Sequence, residues 1–428
     1  MIKNAMKYHI ITFGCQMNKS DSERIASLLE KIGYQPVNKA SQADLIMVNM
    51  CSVRQSAVDR VYGLSRKFTE LKKQNPKLKT VLTGCILPYD KNKLKKQFDL
   101  IFNIRDLSNL PKLLNAVKEA RSCRNDGYLS VLPLLTSEIS AYVPIMTGCN
   151  NFCTYCVVPY TRGREISRPS QEIIGEIKSL VQKGYKEIIL LGQNVNSYQD
   201  KSVDFPLLLK KINDLSGKFW LRFITSHPKD LSDELIEIMS RGEKITEYLH
   251  LPFQAGDDEI LEKMNRGYTI EKYKELIGKI RRRMKNVCLS TDIIVGFPGE
   301  TKRRFKKTAR LMKWADFDMA YIAQYSPRIG TAAAEFKDDI PKKEKERRKK
   351  KLNGILKRTA LKNNKKYLGK TIEVLIEKKI GNDYLGKTRT FKDVKIKNPG
   401  FLKPSQFIEA KIIKITPWGL KGQVEKSF

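Results

Sequence analysis

The sequence predicts an α/β protein built in three parts. An N-terminal α/β domain with a parallel sheet precedes a central partial (βα)6 barrel and a small C-terminal antiparallel β-barrel. Strand and helix patterns alternate through the first two parts, which indicates βα units and parallel pairing. Residues 367–428 instead contain short alternating strands broken by glycine turns, the pattern of a small antiparallel barrel. At 428 residues the chain is long enough for several hydrophobic cores.

The charge of the chain points to a polyanionic partner. The net charge is +35, from 81 Lys and Arg against 46 Asp and Glu, and nucleic acid is the simplest such partner. A lysine-rich surface without that role is the alternative. Residues 342–366 form a basic helical stretch with 13 Lys or Arg and two Glu, either a solvated face or an RNA contact.

The sequence also predicts a compartment. It contains no apolar run of the roughly 20 residues that a membrane helix needs, and no secretory signal is visible. We therefore expect a cytoplasmic protein without membrane contact. Its eight cysteines should be reduced and available as ligands, nucleophiles or core residues.

Three cysteines lie at the ends of the predicted N-terminal strands. The strand patterns cover residues 8–14, 43–50 and 80–84, and they lead into Cys15, Cys51 and Cys85. The carboxyl ends of parallel strands meet at one edge of a sheet, which is where such sheets bind ligands. The three thiols can therefore converge, although three unrelated buried cysteines are the alternative.

A second set of three thiols follows the first predicted strand of the central part. Cys149, Cys153 and Cys156 form a CxxxCxxC run within eight residues. A [4Fe–4S] cluster normally takes four thiolates, so three ligands leave one iron open. An open position distinguishes a catalytic metal site from a closed structural one, and a zinc knuckle would need a fourth ligand at suitable spacing.

This run resembles the cluster-binding motif of the radical S-adenosylmethionine (SAM) enzymes. The surrounding sequence resembles one family among them, the methylthiotransferases, and the last 60 or so residues resemble its RNA-binding TRAM domain. The resemblance covers essentially the whole chain. It implies domains at residues 1–122, 141–362 and 364–428, with a linker at 123–140. The matching segments are Gly14-Cys15-Gln16-Met17-Asn18, Cys51-Ser52-Val53-Arg54, Thr83-Gly84-Cys85 and Val157-Val158-Pro159-Tyr160-Thr161-Arg162-Gly163.

The resemblance implies two [4Fe–4S] clusters. Cys149, Cys153 and Cys156 would hold the cluster that cleaves SAM, and Cys15, Cys51 and Cys85 an auxiliary cluster that carries sulfur. One SAM would methylate that sulfur, and a second would supply the radical that activates C2 of an adenine. Five further residues would lie on the SAM or substrate side: Tyr155, Gln193, Ser226, Gln254 and Glu300.

The substrate implied by the matching segments is N6-isopentenyladenosine next to the tRNA anticodon. Two other branches of the family modify threonylcarbamoyladenosine in tRNA or an aspartate of a ribosomal protein, and both stay open as alternatives. A non-enzymatic RNA-binding iron–sulfur protein is a third. The expected partners are a tRNA anticodon stem-loop and an electron donor such as flavodoxin or ferredoxin, with the chain acting as a monomer. Met50 and Ile86 depart from the residues usual in the family.

Overall fold

The computed structural model describes residues 5–114, 127–397, 400 and 402–427. Cys123 and the start of the predicted linker, residues 123–126, lie outside them. The chain divides into two compact units. The first unit comprises Met1–Thr136, Met146–Ile166 and Arg328–Ala334, and the second comprises Ser137–Ile145, Ser167–Pro327 and Glu335–Phe428. The domain boundaries drawn from the sequence stay predictions.

The first unit contains a parallel sheet, as predicted. In spatial order its strands are Gln35–Pro36, Lys7–Thr12, Leu45–Cys51, Lys79–Cys85 and Leu100–Ile101. The helices of this unit are Gln16–Lys31, Gln55–Tyr62, Leu64–Gln74, Pro88–Leu94, Leu110–Leu113 and Val158–Arg162. Strand Leu45–Cys51 is buried along its whole length. Leu45 and Met47 belong to one apolar core while Ile46 and Val48 belong to another, so both faces of the sheet are covered.

The second unit contains the predicted partial barrel. Strands Ser140–Pro144, Glu187–Leu191 and Trp220–Ile224 form one parallel sheet; Tyr248–His250, Cys288–Val295 and Met319–Gln324 form another. A parallel bridge between Leu221 and Ile245 joins the two sheets edge to edge, and we call the result the six-strand arc. The helices of this unit are Ser170–Gln182, Phe205–Asn213, Asp233–Arg241, Asp258–Lys263, Ile270–Arg283, Lys302–Ala315 and Lys342–Lys365.

A closed five-stranded barrel follows, which we call the small barrel; four of its strand pairs are antiparallel as predicted, and the fifth, Asp393–Ile396 with Gly419–Ser427, is parallel. Its strands, in spatial order, are Thr371–Ile380, Asp383–Thr388, Asp393–Ile396, Gly419–Ser427 and Phe407–Thr416. The predicted barrel and the predicted basic helix before it are both confirmed.

The rest of the chain contains several shorter elements. Two-residue strands lie at Met146–Thr147, Ile166–Ser167, Gln199–Asp200 and Val203–Asp204. Short 3-10 helices lie at Ala40–Gln42, Ile104–Asn109, Tyr128–Ser130, Val195–Ser197, Pro228–Asp230 and Ala332–Glu335.

Within the second unit, the small barrel packs against the six-strand arc through apolar and charged contacts. The rings of Trp220 and Phe407 are 5.0 Å apart and share a buried cluster with Ile139 and Leu375. The buried Arg222 guanidinium donates to the Glu187 carboxylate at 2.8 Å and to the Arg389 carbonyl at 2.8 Å. Among the described residues, no helix combines the length and hydropathy needed to cross a membrane.

Replacing Trp220 with alanine should destabilise this junction. Trp220 is 2% exposed, so the change removes a large buried side chain, and we expect unfolding to require about 3–5 kcal/mol less free energy. Urea denaturation followed by circular dichroism measures the effect. Trp314→Ala is the matched control, because Trp314 is 50% exposed and its loss should stay within about 0.5 kcal/mol. Equal effects of the two changes would contradict the assigned packing.

Candidate metal centres and cofactor-binding residues

Cys51 and Cys85 end neighbouring strands and lie directly opposite one another in the parallel ladder. Parallel strands are about 4.8 Å apart, so the two cysteines are adjacent at the carboxyl edge of the sheet. The Ser52 amide donates to the Cys85 carbonyl at 2.9 Å, which continues the pairing past the strand ends. Both residues are buried.

Cys15 reaches the same edge through a tight turn. Its strand ends at Thr12, and Cys15 stands at the N-cap of helix Gln16–Lys31. Gly14 has φ +139°, and a Cβ there would lie 2.7 Å from the Cβ of Cys51. Only glycine lets the turn approach Cys51 this closely. The fold therefore brings the three cysteines to one edge of the sheet, and their role as ligands of one cluster stays a prediction.

A pair of asparagines ties this turn to the neighbouring strand. The Asn18 amide nitrogen donates to the Asn49 side-chain oxygen at 2.9 Å and to the Met50 carbonyl at 3.0 Å. The Asn49 amide nitrogen returns a hydrogen bond to the Asn18 carbonyl at 2.8 Å. Both side chains are fully buried, so these bonds hold the Cys15 turn against the strand that carries Cys51.

The CxxxCxxC loop has its own backbone constraints. Gly148 has φ +81°, and a Cβ there would lie 2.0 Å from the Arg164 carbonyl oxygen. Phe152 also adopts a left-handed φ, +46°, and the Arg164 guanidinium lies 4.2 Å from its ring centre. Cys149 and Cys153 are buried and Cys156 is half-buried. Tyr155, predicted to lie on the SAM side, is half-buried in this loop within the first unit.

Arg162 links the two cysteine sets inside the first unit. It ends the short helix after Cys156, and its Nε donates to the Cys85 sulfur at 2.9 Å. The same guanidinium donates to the Asp21 carboxylate at 2.6 Å and to the Tyr128 hydroxyl at 2.8 Å. Arg162 is 2% exposed, and the Asp21 side chain is fully buried. The sequence placed Arg162 in a family-like run but assigned it no role.

The donor set fits iron–sulfur clusters. Burial raises the pKa of the Cys85 thiol to about 12, and the Arg162 guanidinium opposes part of that rise. Burial also raises the pKa of Cys51 and of Cys149. Iron would therefore have to displace protons on binding. No three His, Cys, Asp or Glu side chains converge closely enough to hold one metal ion anywhere in the described ranges. A four-iron cluster occupies the space between its thiolates, so its ligands stand further apart than those of one ion.

Unsatisfied polar atoms mark the strand ends of the second unit. Gln193 and Ser226 were predicted to face SAM or the substrate, and the Gln193 Oε1 and Ser226 Oγ are buried without a hydrogen-bond partner among the described residues. Asn196 and His227 have such atoms too, although neither was among the individual residues predicted to bind SAM or the substrate. The Val195 amide donates to the Thr225 carbonyl at 3.0 Å, which brings the loops after these two strands together. Buried polar groups without partners are rare, so a bound ligand fits here.

His227 is held as a neutral donor. Its Nδ1 accepts from the Lys229 amide at 3.2 Å, so its proton resides on Nε2. Burial, together with the charges of Arg266 and Lys229, lowers the pKa of His227 to about 2. The Nε2–H is therefore available to a ligand at physiological pH.

The other two predicted residues of this unit have structural partners. Glu300 accepts from the Gly296 amide at 2.6 Å and from Arg348 at 2.7 Å, and its second carboxylate oxygen has no partner among the described residues. Gln254 has φ +64°, and its amide donates to the Asp292 carbonyl at 3.0 Å. Their contact with SAM or substrate stays a prediction.

Two family models match the chain. Residues 143–312 match the radical SAM superfamily, and residues 7–103 match the uncharacterized protein family UPF0004. The tRNA-2-methylthio-N(6)-dimethylallyladenosine synthase of Clostridium botulinum (strain Langeland / NCTC 10281 / Type F) is 43% identical over 437 residues, covering 97% of this chain and 96% of that protein. The chain belongs to the tRNA-2-methylthio-N(6)-dimethylallyladenosine synthase family. The predicted resemblance is confirmed.

A second relative agrees with this membership. The synthase of Thermoanaerobacter sp. (strain X514) is 43% identical over 436 residues, covering 97% of this chain and 92% of the relative. The chain is accordingly a radical SAM enzyme of the tRNA methylthiotransferase class. SAM and [4Fe–4S] clusters are the cofactors of such enzymes, as the sequence predicted.

Solved structures agree on the fold. One is the radical SAM methyltransferase TsrM from Kitasatospora setae, solved with cobalamin and a [4Fe-4S] cluster. It matches this chain with a TM-score of 0.58 and 14% sequence identity, and the match covers 77% of each chain. The cobalamin-dependent SAM radical enzyme OxsB has a TM-score of 0.54 and 10% identity, covering 80% of this chain and 56% of that one. At such identities the likeness shows the fold alone.

Replacing Arg162 with methionine should destabilise the first unit. The change leaves the buried Asp21 carboxylate without its cation, and we expect a loss of about 3–5 kcal/mol of unfolding free energy. Urea denaturation of the cofactor-free protein, followed by circular dichroism, measures it. The double variant Asp21→Asn/Arg162→Met should lose less, because it buries no unpaired charge. Arg66→Met is the control, since the Arg66 side chain is 92% exposed. The single variant Asp21→Asn completes the comparison. If the double variant loses as much unfolding free energy as the two single variants together, the pairing is contradicted.

Proposed function

We propose that this chain transfers a methylthio group to C2 of N6-isopentenyladenosine, next to the anticodon in a tRNA stem-loop. The observation that carries the proposal is the presence of two three-cysteine sets in one compact unit, within a chain that belongs to the synthase family. When bound, the two clusters and SAM would supply the radical and the methylated sulfur that this reaction needs.

The cysteines divide between the two clusters. Cys149, Cys153 and Cys156 hold the cluster that acts on SAM, and Cys15, Cys51 and Cys85 hold the auxiliary cluster. Three ligands at each site leave one iron of each cluster without a protein thiolate. Arg162 stabilises a thiolate at Cys85 by donating a hydrogen bond to its sulfur, and such bonds orient metal ligands and tune the metal.

The polar strand ends of the second unit serve SAM and the substrate base. Gln193, Asn196, Ser226 and His227 each offer a buried donor or acceptor that has no hydrogen-bond partner in the described part of the chain. A neutral donor such as His227 suits recognition of adenine nitrogens or ribose hydroxyls without adding charge.

The basic C-terminal part contacts the RNA backbone. Residues 364–428 carry 15 Lys or Arg against six Asp or Glu, and the helix before them is more basic still. Such side chains position phosphates without reading sequence. A loop nucleotide leaves its stack at low cost, which allows the substrate base to enter a buried site.

Reduced flavodoxin or ferredoxin supplies the electron, and the chain acts as a cytoplasmic monomer. This part of the proposal rests on the family resemblance.

Iron content and SAM cleavage test the division of the cysteines. The wild-type protein should contain about eight irons after anaerobic reconstitution. The triple variant Cys15→Ala/Cys51→Ala/Cys85→Ala should keep about half of them and still form 5′-deoxyadenosine, whereas Cys149→Ala/Cys153→Ala/Cys156→Ala should form none. Cys288→Ala is the control and should keep all the iron, because Cys288 is buried in a strand of the second unit. SAM cleavage that disappears in the first variant would refute the division.

The tRNA nucleoside profile tests the substrate. Mass spectrometry should find 2-methylthio-N6-isopentenyladenosine in cells that express the protein and only the unmodified N6-isopentenyl nucleoside in a deletion strain. Complementation with the wild-type gene should restore the mark. Complementation with the Cys15→Ala/Cys51→Ala/Cys85→Ala variant should not. If the deletion strain retains the mark, the proposed substrate is wrong.

A further inference from the structure

A cavity in the second unit has no role in the proposed chemistry. It has a volume of about 150 Å³ and is lined by residues of both the six-strand arc and the small barrel. Its lining is unusually rich in aromatic side chains, namely Tyr248, Tyr321, Phe391 and Trp418. The cavity therefore offers flat apolar surfaces to a ligand.

Part of this lining is rigid. The rings of Tyr248 and Phe391 lie 4.9 Å apart, and the buried Arg222 guanidinium is 4.5 Å from the Phe391 ring centre. Phe391 has φ +63°, a left-handed conformation that a bulky residue adopts only when its surroundings impose it. Strained residues of this kind concentrate at binding sites.

Two of the lining aromatics are exposed. Trp418 lies in the turn between strands Phe407–Thr416 and Gly419–Ser427 and is 52% exposed, and Tyr321 is 56% exposed. Exposed aromatic rings beside a concave surface are the usual platform on which proteins stack unpaired bases. The Lys387 Nζ lies 4.7 Å from the Phe391 ring centre and donates to the Asp393 carboxylate, which also lines the cavity, at 2.5 Å.

The cavity also contains an unused hydrogen-bond acceptor. Asn364 is 1% exposed, and its amide nitrogen donates to the Thr416 carbonyl at 2.7 Å. Because a carbonyl can only accept, this bond fixes the orientation of the amide. The Asn364 Oδ1 is left buried without a hydrogen-bond partner among the described residues. It needs a ligand that donates, such as the exocyclic amine of adenine, cytosine or guanine.

We propose that this cavity binds one unpaired base of the RNA, a base other than the one that is modified. The base stacks on Trp418 and Tyr321, and its exocyclic amine donates to the Asn364 Oδ1. The inference rests on the proposed function, because the RNA is the tRNA stem-loop of that proposal. An apolar peptide would leave the acceptor unused.

Binding of an anticodon stem-loop tests the stacking. Fluorescence anisotropy with the reconstituted protein should show roughly five- to 150-fold weaker binding for Trp418→Ala and for Tyr321→Ala, the range expected for losing one stacked base. Trp418→Phe should recover most of the loss. Trp314→Ala is the matched control, because Trp314 is equally exposed but does not line this cavity. Binding by Trp418→Ala within twofold of wild type would overturn the proposal.

A scan of the RNA identifies the base. Each unpaired nucleotide is replaced in turn by an abasic residue, and at one position the loss of affinity should match that of Trp418→Ala. Combining the two changes there should cost no more than either alone, and replacing the base by one that lacks the amine should also weaken binding. Additive losses at every position would show that Trp418 contacts no base. If the wild-type protein binds no stem-loop, the proposed function fails instead, so the two failures are distinguishable.

Discussion

Parallel strand pairing determines where the chemistry of this chain lies. Parallel strands bring their carboxyl ends to one edge, and in the first unit Cys51 and Cys85 face one another there. The turn at Gly14 brings Cys15 to the same edge. In the second unit, Gln193 and Ser226 follow the ends of neighbouring parallel strands in the same way. The positions of both sets of predicted site residues therefore depend on strand direction, and a change of register would separate them.

A buried ion pair then joins the two cysteine sets of the first unit. Arg162 has three partners that come from different parts of the chain: Asp21, Cys85 and Tyr128. A buried guanidinium is tolerated only when its donors are satisfied, so these contacts determine the position of the helix that follows Cys156. The arrangement places a fixed positive charge beside a predicted cluster ligand. Hydrogen bonds to ligand sulfurs are one of the factors that set a cluster's potential.

Much of the fold was predictable because its signals are local. The six strands of the arc and the strands of the small barrel follow from apolar patterns and turn residues within short windows. The six cysteines were predicted to form two sets of cluster ligands, one from its spacing and the other from its places after strands. Arg162, Asn196 and His227 were not, because their significance depends on which atoms lack or find a partner after folding. The contact of Asn364 with the turn at Thr416 likewise spans 52 residues of sequence.

By itself, the sequence determined the class of chemistry. Three thiols within eight residues can meet on one cluster whatever the rest of the chain does, and the family-like segments extend over nearly all of it. Only the tertiary structure decided which groups surround those thiols and which buried polar atoms find no hydrogen-bond partner among the described residues. The reason is physical: ligand type and spacing are local properties, whereas burial, charge pairing and hydrogen-bond satisfaction depend on residues distant in the chain.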